Sequence, residues 1–179
     1  MDHSDPFLLL HHIEARARAR DRDLPRRVEG KQVWSGIVFR LGTEELVAPL
    51  IEISEVLAYP TVSRVPGVKA WVKGIANFRG NLLPIMDLRT LLEGIPVVQD
   101  RRNRVLVVSH KEIFAGLLVD EVIGLRHFQQ EESSLRPPTI NTAFAAYLQG
   151  GFERNGRFTP VFGFHALAES REFMEVAAT

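Results

Sequence analysis

Trp71-Val72-Lys73-Gly74-Ile75-Ala76-Asn77-Phe78-Arg79-Gly80-Asn81-Leu82-Leu83-Pro84-Ile85-Met86-Asp87-Leu88-Arg89 decides how the chain is read. Two apolar, strand-forming runs, Trp71 to Phe78 and Leu82 to Met86, flank a tight turn. Asn77, Gly80 and Asn81 are residue types that accept positive φ or hydrogen-bond their own backbone, so the chain reverses there. Arg79, a long cation, is thereby set on the turn between two buried strands. Asp87 is a good N-cap type and predicts a short helix from Leu88 to Leu92.

Outward from this hairpin, composition narrows the possibilities. The 179 residues allow one sizeable domain or two small subdomains sharing a core. Lys and Arg number 22 and Asp and Glu 22, so no net field recommends nucleic acid or an anionic membrane as partner. Cysteine is absent, which removes disulfides, zinc thiolates, iron–sulfur clusters and cysteine nucleophiles. No apolar run reaches the roughly 18 residues of a membrane span. The N-terminal apolar cluster, Phe7 to Leu10, precedes its arginines, the reverse of a secretory signal. The expectation is a soluble, cytoplasmic protein.

Residues 1–32 form a separate segment, an amphipathic helix opening at Asp5-Pro6 with Phe7, Leu8, Leu9, Leu10 and Ile13. Its plain reading is a solvated helix docked by its first turn; a partner-binding helix is the functional one. His11 and His12 point about 100° apart on a helix and do not chelate together. Strand patterning begins at Val33. Val33 to Leu41 and Leu46 to Leu57 are apolar runs around Gly42-Thr43-Glu44-Glu45, with Pro49 marking a break or edge. With the hairpin, these predict a first small barrel over about residues 33–87. Glu93-Gly94-Ile95-Pro96 stops the helix. A second barrel is expected over about residues 104–164, with strands at Arg104 to Val108 and Ile113 to Val119. Tyr147 to Arg154 and Arg157 to Phe162 flank Asn155-Gly156, a strong hairpin signal. Val47 to Val56 echoes Ile113 to Val122, hinting at one plan used twice. Phe128 to Thr142 reads as a loop. His165 to Ala177 reads as an amphipathic helix, so residues 168–179 form a C-terminal helix or tail.

No catalytic constellation stands above a structural explanation. Asp87 is best read as a cap, and Asp120-Glu121 as a polar corner after an apolar strand. His3, His11, His12, His110, His127 and His165 lack zinc-ligand spacing. Ser109-His110 lacks a nucleophile elbow, and no Walker or dinucleotide glycine loop is present. No cofactor and no metal are expected. Arg79 is either a surface arginine with its stem on Trp71 or Phe78, or an anchor for a partner's carboxylate or carbonyls. The residues alone leave these two equal.

The pattern Gly74-Ile75-x-Asn77-x-Arg79-Gly80-x-Leu82-x-Pro84-Ile85-x-Asp87-Leu88-Arg89 resembles the signature of CheW-like domains, the coupling proteins of bacterial chemosensory arrays. The similarity spans residues 33–167 and includes Phe39-Arg40-Leu41-Gly42, Ile53-Ser54-Glu55-Val56, Val65-Pro66 and Leu118-Val119-Asp120-Glu121-Val122. The resemblance implies two five-stranded SH3-like barrels around a shared apolar core, mainly β, with no catalytic activity. It implies an adaptor between a methyl-accepting chemoreceptor's cytoplasmic tip and the regulatory domain of a CheA-type histidine kinase, at membrane-bound receptor arrays. Receptor contact in the family uses the groove between barrels, and the matching positions are Ile53, Glu55, Gly74, Asn77 and Arg79. Kinase-contacting residues are unassigned. Phe78 and Ala76 depart from commoner choices. The N-terminal segment and the Pro137-Pro138 loop extend the family core and resemble the CheW-like proteins of systems governing type IV pili and twitching motility. Two other classes stay open at this point: a β-barrel module for a small ligand or peptide, and an enzyme with a composite site.

Overall fold

In the computed structural model, residues 33–135 and 142–177 are described. The expected N-terminal helix of residues 1–32 and the Pro137-Pro138 dipeptide lie outside them. The order is β1 (Val33–Leu41), β2 (Glu44–Pro49), a 3-10 turn (Leu50–Glu52), β3 (Glu55–Ala58), β4 (Val72–Phe78), β5 (Asn81–Asp87) and α1 (Leu88–Glu93). It continues with β6 (Arg104–His110), β7 (Ile113–Val119), β8 (Glu121–Gln129), a 3-10 turn (Gln130–Glu132), β9 (Ser133–Ser134) and α2 (Thr142–Ala145). β10 (Leu148–Arg154), β11 (Arg157–Phe162), α3 (Phe164–Ala168) and α4 (Arg171–Met174) complete it.

The strands make two curled sheets, ordered β8-β1-β2-β11-β10-β9 and β3-β6-β7-β5-β4, each an SH3-like barrel. Alternation explains why β1, β2, β6 and β7 bury both faces. Val38 and Val47 point into the first barrel with Phe128, Phe152 and Val161. Their neighbours Ile37, Phe39, Leu41, Leu46 and Ala48 join the core between the sheets, with Leu106, Val108, Leu117, Phe162 and Phe164. Leu83, Ile85, Val105 and Val107 fill the second barrel.

Neither barrel is one half of the chain, which corrects the expected division at about 33–87 and 104–164. β1 and β2 share a sheet with β8, β10 and β11, while β3, β4 and β5 share one with β6 and β7. The cause is local. Pro49 ends β2, and the 3-10 turn at Leu50–Glu52 then carries the chain to the other sheet. The halves do repeat, with strands exchanged. Exchanging β1, β2, β3, β4 and β5 with β6, β7, β8, β10 and β11 turns one sheet order into the other, with the two-residue β9 left over. Registers agree: Leu41 opposite Glu44 corresponds to His110 opposite Ile113, 69 positions later, and Phe78 opposite Asn81 to Arg154 opposite Arg157, 76 later. The echo read from sequence, Val47 onto Ile113, is out of register by three, because Val47 corresponds to Gly116. Apolar runs match at several shifts, and only the hydrogen-bonded partners (Val161 for Val47, Ile85 for Gly116) fix the right one.

Two further expectations change. Phe128 to Thr142 is not wholly a loop: β8 runs to Gln129, and β9 pairs with β10. Arg154 causes this by gripping Glu132 through Nε (2.6 Å) and Nη2 (2.7 Å), folding the end of β8 over the hairpin. The helix expected over His165 to Ala177 is two short ones, because the Ser170 hydroxyl accepts from the Phe173 amide and starts α4 afresh. The tail is then pinned as an extended bridge between Ala177 and Val68.

The hairpin at Asn155-Gly156 and the cap at Asp87 form as the sequence predicts. Asp87 is fully buried; its Oδ1 accepts from Thr90 N (3.0 Å) and its Oδ2 from Val97 N (3.1 Å). Asp87→Ala removes the cap and strands the buried Val97 amide, so urea unfolding shows a loss of about 2–3 kcal/mol at unchanged slope. Acid gives a second check. The Arg154 guanidinium, then the Gln129 amide, holds the Glu132 carboxyl down to about 2 from its usual 4.5. A depressed carboxylate contributes stability above its unfolded value and loses it as pH falls through the folded one. The Arg154 Nε–H resonance therefore keeps its native position at about pH 4 and moves as pH falls toward about 2, and Glu132→Gln abolishes that movement.

Candidate functional site

Five residues carry the sequence's functional expectation, and the fold treats them differently. The turn Phe78-Arg79-Gly80-Asn81 has positive φ at both central positions, 51° at Arg79 and 83° at Gly80, the hairpin geometry that matches strand twist. Asn77 stabilises it: its Oδ1 accepts from Gly80 N at 3.0 Å. Arg79 is 71% exposed and extends over the Phe78 ring, its guanidinium carbon 5.0 Å from the centroid. Its Nη2 lies 2.9 Å from both carboxylate oxygens of Glu55, at the start of β3. Glu55 and Arg79, 24 positions apart, thus form one exposed ion pair.

Ile53 sits two residues before Glu55, half-buried against the inter-barrel core. Gly74 has a steric role. Its φ is +136°, and a Cβ there would lie 2.1 Å from the Ser63 carbonyl oxygen. That carbonyl accepts from Ile75 N, and Ser63 N donates to Ile75 O, so Gly74 permits the bridge joining the β3–β4 connection to β4. Glu55 and Arg79 are therefore brought together as a polar pair, Asn77 shapes the turn, Gly74 admits a backbone, and Ile53 anchors the connection.

Two exposed apolar side chains, on the hairpin and on the first 3-10 turn, went unpredicted. Leu82, opposite Asn77 in the ladder, is 72% exposed, and Ile51 on the 3-10 turn is 91% exposed. Alternation along β5, where Leu83 and Ile85 point inward, was the available signal for Leu82. The candidate carboxylates have structural employment. Asp120 accepts from Gly42 N at 2.7 Å, tying the β1–β2 turn to the β7–β8 corner, and Glu121 faces Arg40 at 3.4 Å. Among the described residues, no three His, Asp or Glu side chains converge as a metal site. A shallow, open depression of about 490 Å³ lies at Ala58, Tyr59, Gln99, Asp100, Arg101 and Asn103, which share no residue with the pair.

The model of the CheW-like domain matches residues 35–172. The chain belongs to the CheW-like domain family. Protein PilI of Pseudomonas aeruginosa is 45% identical over 176 residues, covering 98% of both chains. Protein FrzA of Myxococcus xanthus is 29% identical over 138 residues, 77% of this chain and 84% of that one. The chemotaxis protein CheW of Klebsiella aerogenes is 29% identical over 114 residues, 64% and 69% of the two chains. The crystal structure of scaffolding protein TtCheW from Thermoanaerobacter tengcongensis shares the fold, with TM-score 0.66, 24% identity, and coverage of 78% of this chain and 94% of that one. No helix among the described residues is long and apolar enough to cross a membrane.

Steric and chemical roles within this CheW-like site separate by stability. Gly74→Ala forces a Cβ into the Ser63 carbonyl and lowers unfolding free energy by about 3 kcal/mol or prevents folding. Arg79→Ala removes an exposed pair and changes it by less than about 1 kcal/mol. Denaturation midpoints of the two variants make the comparison.

Proposed function

We propose that this CheW-like protein is a non-catalytic adaptor that couples a methyl-accepting chemoreceptor to a CheA-type histidine kinase, in a chemosensory system governing type IV pili and twitching motility. One observation carries the reading: the end-to-end match, at 45% identity, to a protein named PilI. The relatives named chemotaxis protein CheW support the same class of system.

The receptor-facing site in this proposal is Ile53, Glu55, Gly74, Asn77 and Arg79. Its physical support is an exposed arginine held in one direction by Glu55 and Phe78, on a hairpin that also exposes Leu82. A partner bearing an apolar helical face and a carboxylate or carbonyl suits both features. Such a partner can take Arg79 from Glu55 at small cost, since an exposed pair contributes little. An adaptor transmits by contact, so each interface can be weak where an array supplies many. The regulatory domain of the kinase is the second partner, and no residue is assigned to it. A small-ligand module is less well supported, because the depression at Tyr59 is shallow and open.

Co-sedimentation with a receptor cytoplasmic tip and its CheA-type kinase tests the reading. Wild type is retained, while Arg79→Ala and Arg79→Asn fold normally and are lost from the pellet by tenfold or more, about 1.4 kcal/mol. Arg79→Asn suits the turn, since Asn155-Gly156 fills the corresponding positions of the other hairpin. Absence of wild type from every receptor–kinase pair of its own genome would overturn the adaptor; equal retention of the variants would remove Arg79 from its site.

A further inference from the structure

The residue preceding α1 is Asp87, which caps its own helix; the corresponding residue before α3 is Gly163, which has no side chain. A carboxylate from elsewhere takes its place. Glu52, on the 3-10 turn between β2 and β3, is 7% exposed, and its Oε2 accepts from the amides of Phe164 (2.6 Å) and His165 (3.1 Å). The crossover turn is thereby tethered to the first turn of α3.

Two histidines sit on this tether. His165, in α3, stacks on His110, the last residue of β6, with ring centroids 3.9 Å apart and planes inclined by 21°. His110 Nε2 is 2.7 Å from Glu169 Oε1, which is also 2.6 Å from Lys111 Nζ. The Lys111 ammonium, with His110, holds the Glu169 carboxyl down to about 2, so it is charged throughout the neutral range. His165 Nδ1 is 3.9 Å from Glu52 Oε1, and its Nε2 is buried with no hydrogen-bond partner.

Counting charge defines what this cluster can hold. Glu52 and Glu169 supply two negative charges, and Lys111 one positive. One imidazolium balances the group. A second places like charges on stacked rings 3.9 Å apart, where their repulsion is strong. His110 is tied to Glu169 by a short contact, whereas His165 has none as short, so His165 is the ring that yields. We propose that His110 and His165 form a one-proton clasp: a single proton is balanced between Glu169 and Glu52, while a second drives the rings apart and frees the α3 amides from Glu52. The fold then carries a pH-operated latch between the β2–β3 crossover and the C-terminal helices. The latch stands on these contacts alone, whichever partner the molecule serves.

Amide hydrogen exchange on the full chain, followed by NMR and corrected for intrinsic rate, reads the latch at Phe164 and His165. Between about pH 7.5 and pH 5.5, where histidines take up protons, protection of these two amides falls roughly tenfold in wild type, while core amides of β1 and β7 keep theirs. His110→Gln retains a donor toward Glu169 but removes one charge, and protection at Phe164 and His165 becomes level across the range. If His110→Gln does not fold, His165→Gln carries the same expectation at Phe164. A flat profile in wild type, an unchanged slope in the variant, or parallel loss from β1 and β7 each overturns the clasp.

Discussion

Two parallel pairings hold this molecule together, β2 with β11 and β5 with β7. Each joins strands from different halves of the chain. A parallel pair needs a long crossover: the β5–β7 connection runs through α1 and β6, and the β2–β11 connection takes in every strand between them. Everything else follows from that exchange. The β1–β2 and β6–β7 hairpins form locally, but each becomes a barrel only when the other half supplies the remaining strands. The inter-barrel core is the outer face of both sheets at once, with Phe39 against Phe162 and Phe164 at ring distances of 6.2 and 5.5 Å. Folding is therefore a single cooperative event for residues 33–135 and 142–177, with many contacts distant in sequence and slow to close.

Local elements were legible in the sequence because their causes are local. β1 runs from Val33 to Leu41 as its β-branched and aromatic composition predicts, Asp87 caps α1, and Gly94 ends it with φ of 71°. What was illegible depends on partners that sequence does not bring together. The assignment of strands to barrels rests on where the chain goes after Pro49. The end of β8 is ordered by Arg154, 22 positions beyond Glu132. His110 and His165 show no ligand spacing in sequence and stack only because β6 and α3 meet.

The candidate site shows the same division. The hairpin signature located Arg79 on its turn, but its partner Glu55 comes from another strand, and the exposure of Leu82 follows from alternation along β5. Gly74 and Asn77 carry the signature for reasons of backbone: one admits the Ser63 carbonyl, the other closes the turn. The signature is thus mostly architecture, with one exposed cation as its chemical content.

The exchanged repeat has a consequence for origin as well as for folding. A chain of half this length, with the same strand order, satisfies every one of these pairings except that of β9 by exchanging strands with a second copy of itself. In topology the present molecule equals such a swapped pair joined covalently. The corresponding turns differ, Arg79-Gly80 in one half and Asn155-Gly156 in the other. A symmetric dimer presents each feature twice; the fused chain presents it once, and so has a front and a back.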